Sequence, residues 1–152
     1  MDAPFFGFEQ DFVGSLRCIP MIVRHHLDTC GVKLKLEHWN HFSQDQRQSL
    51  VEWPCDTQAA VQMYGERLQQ MIVAQTGKPA KTLDISAMPP WKQVEVIPEA
   101  VALKFDAQQV PLTVAQWANL HELQRFALVK LSRPSHENLN FMPAVKEFGL
   151  VE

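Results

Sequence analysis

The sequence has no Gly-rich phosphate loop, no paired cysteines at zinc spacing and no helix-borne His-Glu-x-x-His. The short motifs that carry the strongest mechanistic content are therefore missing. Excess basic charge is missing too: 14 lysines and arginines stand against 17 aspartates and glutamates, a net charge of -3. That balance argues against general binding to nucleic acid or to an anionic membrane. No stretch approaches the ~20 apolar residues of a membrane helix, and Met1 to Gln10 lacks the basic start and apolar run of a signal peptide. The expectation is a soluble, cytoplasmic protein with no nucleic-acid and no membrane partner. Cys18, Cys30 and Cys55 are odd in number and lie among hydrophobic neighbours, which reads as small buried thiols in a reducing compartment. A chain of 152 residues can bury most of the surface its unfolded form exposes, so it needs neither metal nor disulfide. No cofactor and no metal site are expected.

What the chain does contain is a repeat. Residues 19 to 51 recur at 97 to 129 without a gap, with 11 identities over 33 aligned positions, where composition alone gives roughly two. Ile19/Ile97, Pro20/Pro98, Val23/Val101, Trp39/Trp117 and Leu50/Leu128 are among them. Most are apolar and are explained by shared packing, which makes the residues that differ between copies the better functional candidates.

The periodicity predicts an all-α fold in a single domain, 1–152, built from this duplication. A first helical unit spans 15–55, a connecting helix 56–77, a Pro-rich crossing segment 78–93, and a second helical unit with a C-terminal helix 94–152. In each unit a long helix opened by Pro20 or Pro98 is followed by a turn and two shorter helices. Gly31 is the natural stop of the first helix. Val32 to Leu36 alternates too briefly for a sheet and reads as a tight connection. Ser43 with Gln46 has capping-box spacing, Thr113 can cap the second tryptophan helix, and Val61, Tyr64, Leu68 and Ile72 give the connecting helix an apolar face. The run from Phe5 to Phe12 reads as an aromatic strap against the body of the protein. Pro143 starts the last short helix, and Gly149 closes it.

Chemistry-bearing residues are sparse. His25 and His26 are neighbours, roughly 100° apart on a helix, so one metal ion does not suit both. His38 and His41 share a face but have no third ligand nearby in sequence. Cys30 and His26 are one turn apart, with neither group visibly activated. Arg47 and Arg125 persist in both copies, as do Asp28 and Asp106. A bidentate bridge from each Arg to the Asp of its own copy would tie third helix to first; the alternative is that the arginines line an anion site on a pseudo-two-fold axis. The segment 130–141, KLSRPSHENLNF, has no counterpart in the first copy and gathers Arg133, His136, Glu137, Asn138 and Asn140 between the apolar anchors Leu131 and Phe141. A Pro-interrupted polar turn of this kind suits recognition of a partner, or a loop held by its own capping bonds. No catalytic residue stands out.

The runs FEQDFVGSLRCIPMIVRHHLDTCGVKLKLEHW and LQRFALVKLSRPSHENLNFMPAVKEFGL resemble the nitrate reductase-associated proteins of cyanobacteria and some proteobacteria, over nearly the whole chain. The resemblance implies a small cytoplasmic protein that accompanies assimilatory nitrate reductase and molybdenum-cofactor synthesis and is needed for active enzyme. The expected function is a non-catalytic assembly or maturation factor for molybdenum-dependent nitrate reductase, working by protein binding as a monomer or weak dimer. The alternative is a small-molecule binder or enzyme for a pterin cofactor or other anion, using clustered arginines. A DNA-binding helical module would need a basic face that neither Glu37 to Asn40 nor Ala115 to Asn119 provides.

Overall fold

The computed structural model describes residues 5–9, 16–85, 88–133 and 139–151. Among them are eight α-helices, two 3-10 turns and no strand longer than a single bridge, so the fold is all-α. The chain divides into two compact units, Met1–Phe5 with Glu9–Ile85 and Phe6–Phe8 with Ser86–Glu152. No helix among the described residues is long and apolar enough to cross a membrane.

In the first unit, α1 (Met21–Cys30) follows Pro20, and Gly31 ends it at φ 76°, with its N–H on the Leu27 carbonyl. The helix therefore runs 10 residues and stops where the sequence places its end. α2 (Leu36–His41) buries Trp39 completely, and the indole N–H donates to the Leu16 carbonyl at 2.8 Å. α3 (Gln44–Glu52) begins with the predicted capping box: Ser43 Oγ accepts from Gln46 N–H while Gln46 Oε1 accepts from Ser43 N–H. α4 (Gln58–Thr76) is the longest helix, capped by Thr57 and turned inward through Tyr64, Leu68 and Ile72. Tyr64 ties α4 to α3 by donating to the Leu50 carbonyl at 2.6 Å. Burying these side chains at roughly 1.5–3 kcal/mol each is what holds the short helices, none of which would persist alone in water.

The segment read as a tight connection has a partner. Val32 bridges antiparallel to Thr82, Lys33 N–H donates to the Lys81 carbonyl and Leu83 N–H to the Gly31 carbonyl, both at 2.8 Å. The return stretch after α4 thus lies back along 31–33 as extended chain, satisfying backbone groups that no helix could.

In the second unit, a 3-10 turn at Pro90–Lys92 precedes α5 (Glu99–Ala107), α6 (Val114–Asn119), α7 (Glu122–Leu131) and α8 (Phe141–Glu147). Helices α5, α6 and α7 open 78 residues after α1, α2 and α3. Thr113 caps α6 with Gln116, and Gln124 Oε1 accepts from His121 N–H at the start of α7. Pro143 lies in the first turn of α8, where its missing N–H has no partner to lose. Its core packs Trp91 edge-on against Phe126, with centroids at 4.9 Å, and Phe105 against Phe141 at 5.1 Å. The described part of the aromatic strap is a turn beside the end of α8: Phe6 and Phe8 stack on each other and meet the Phe148 ring at an angle, while Phe12 lies outside the described residues. Glu147 holds it through the N–H groups of Gly7 and Phe8.

Candidate functional site

The retained arginines are anchored by main chain. Arg47 donates from Nε to the Trp39 carbonyl, from Nη1 to that of Leu16 and from Nη2 to that of Asn40, at 3.1, 3.2 and 3.1 Å. Its guanidinium also lies 5.6 Å from the Trp39 ring centroid. Arg125, only 8% exposed, donates to the carbonyls of Trp91 and Leu120. Of the two aspartates expected to bridge to them, Asp28 is half-buried and Asp106 is solvent-exposed. Carbonyl dipoles suit a delocalised, weakly hydrated cation. The Arg47 fork is directed at carbonyls inside the first unit and the Arg125 fork at carbonyls inside the second.

Beneath α1, His26 packs edge-on to Tyr64 with ring centroids at 4.9 Å. Its Nδ1 has no hydrogen-bond partner. Burial, reinforced by neighbouring His25, lowers its pKa to about 4, so the ring is neutral. Burial likewise pushes the Cys30 thiol up to about 11 and the Cys55 thiol up to about 12. Both stay protonated at neutral pH and are poor nucleophiles. Cys18, expected to be buried, is exposed, because it precedes α1 and lies outside its packed face. Among the described residues no three His, Cys, Asp or Glu side chains are grouped to hold a metal ion.

A groove of about 590 Å³ in the first unit is lined by Lys35, His38, His41, Lys78 and Lys81, with Glu37 on the same wall. Main-chain groups set both imidazoles. The Lys35 N–H donates to His38 Nδ1 at 3.1 Å, which assigns the proton of the neutral ring to Nε2. The Glu37 carbonyl lies 2.8 Å from His41 Nδ1, which assigns that nitrogen as the donor and, in the neutral ring, leaves Nε2 an acceptor. The opposite wall is fixed as well: the Gln69 amide clasps Ala80 through both its N–H and its carbonyl, at 2.8 and 3.0 Å. His38 and His41 were legible in the sequence as a pair. The lysines were not, since they come from two stretches some 40 residues apart that only the 31–33/81–83 pairing brings together.

In the segment 130–141 the two apolar anchors are buried, Leu131 at 0% and Phe141 at 1% exposure, while Leu139 between them is 86% exposed. Arg133 is exposed, and Asn140 occupies the cap position of α8 without a side-chain capping bond. His136, Glu137 and Asn138 lie outside the described residues. Leu139 escaped the reading of the sequence because its polar neighbours drew attention and a single leucine carries no pattern. Further apolar side chains of the same unit stand in solvent, Met88 and Val96 among them at 56% and 60%.

A protein-family model described as conserved nitrate reductase-associated protein matches residues 5–148. No curated protein and no solved structure matches the chain.

Proposed function

The chain belongs to the conserved nitrate reductase-associated family, and from that premise we propose that it is a non-catalytic assembly or maturation factor. In this reading it binds immature molybdenum-dependent nitrate reductase in the cytoplasm, keeps it accessible for cofactor insertion, and then leaves. The observation that carries the reading is Leu139. A leucine held 86% exposed between two buried anchors leaves apolar surface in water that a partner would cover, at roughly 25 cal/mol per Å². Arg133, His136, Glu137, Asn138 and Asn140 would form the polar rim of that contact, the arrangement protein interfaces favour. Met88 and Val96 are further exposed apolar side chains of the same unit. The correspondence of helix starts in the two units supports descent of both from one duplicated unit, with the recognition segment added to the second.

The alternative, an anion or pterin binder built on clustered arginines, is weakened by the carbonyl anchoring of Arg47 and Arg125. Tagged protein recovered from cells making nitrate reductase without its cofactor tests the proposal. Wild type should capture the apo enzyme and not the mature one, and Leu139→Asp should lose most of that capture while folding normally. Equal capture by the variant, or none by wild type, contradicts the reading.

A further inference from the structure

We propose that the groove of the first unit is a binding site for a small phosphorylated ligand, held by its phosphate monoester. Lys35, Lys78 and Lys81 bring three positive charges and Glu37 one negative charge to one groove, a local reversal of a chain whose net charge is -3. The surplus matches a monoester, which carries about -1.5 to -2 at neutral pH. Among the described residues none of the three ammonium groups has a carboxylate or carbonyl partner. Each offers three donors on a mobile stem, which suits an oxyanion approached from several sides. His38 adds a fixed Nε2–H donor, and His41 an Nε2 acceptor for a hydroxyl of the ligand.

The frame is already built. Main-chain bonds hold both rings, Gln69 holds Ala80, and the Lys33 N–H holds the Lys81 carbonyl, so only the lysine stems need ordering when the ligand enters. A volume of about 590 Å³ falls in the range of small-molecule sites and exceeds what a bare ion fills, leaving room for an organic body. Three lysines lining one groove suit the concentrated charge of a single phosphate better than carboxylates spread along an acidic peptide.

The test uses the full chain labelled with ¹⁵N-histidine and titrated with glycerol phosphate at constant ionic strength. Saturable shifts at His38 and His41, with His121 unmoved, are expected. Binding should weaken at least tenfold in the Lys78→Gln/Lys81→Gln variant, whose circular dichroism should match wild type. Linear shifts equal to those produced by chloride, or unchanged affinity in the variant, would overturn the proposal. So would a glutamate-only peptide that competes as strongly as the monoester.

Discussion

Gly31 and Gln109 occupy corresponding places, one ending α1 and the other following α5, and both have left-handed backbone, at φ 76° and 59°. Only one is glycine. A side chain at Gly31 would drive its Cβ to 2.8 Å from Ile85 Cδ1 and 3.1 Å from the Leu83 carbonyl, the stretch paired against 31–33. Gln109 keeps a side chain and bears the backbone cost of the left-handed region, about 1 kcal/mol. Two other pairs diverge in the same way. Arg47 is half-buried while Arg125 is buried. His26 meets the Tyr64 ring as a neutral imidazole, while Lys104, at the matching position, places its Nζ 5.5 Å from the centre of the Phe141 ring. Each unit thus meets the same geometric demand with the chemistry its own surroundings permit.

Replacing the arginines should separate the units most. Arg125→Met strands the Trp91 and Leu120 carbonyls in a buried place and should cost about 3 kcal/mol. Arg47→Met, nearer to solvent, should cost about half as much; equal urea midpoints for the two variants would erase the distinction. Gly31→Gln comes next, losing about 2 kcal/mol or more because steric crowding adds to backbone strain. The converse change, Gln109→Gly, should be neutral or stabilise by up to ~1 kcal/mol. If both glycine exchanges destabilised equally, the account of position 31 would fail.

Acid sensitivity should trace to the first unit. The unfolded His26 takes a proton near pH 6.5 and the folded one near 4, so between those values the unfolded state binds more protons. The stabilisation is complete above about pH 6.5 and is lost as the pH falls toward 4, on the order of 2 kcal/mol. Denaturation midpoints followed from pH 8 to 4 should show this slope in wild type and a flatter one in His26→Phe.

Features written in short-range chemistry were legible from the residues. Ser43 with Gln46 and Thr113 with Gln116 are caps whose donor and acceptor lie three residues apart, and α4 carries its own apolar period. What escaped depends on groups without side-chain identity or on distant partners. Backbone carbonyls, which anchor both arginines, leave no mark in a sequence. The pairing of 31–33 with 81–83 joins segments too short to announce themselves, and with it went the lysine-lined groove. In the segment 130–141 the polar residues were visible, and the strongly exposed Leu139 was not.

The most direct test is the affinity of the purified protein for purified nitrate reductase lacking its cofactor, compared between variants of the two units. The account predicts that Leu139→Asp weakens binding at least tenfold, while Lys78→Gln/Lys81→Gln binds as wild type does. No binding by wild type, or full affinity in Leu139→Asp, would contradict it.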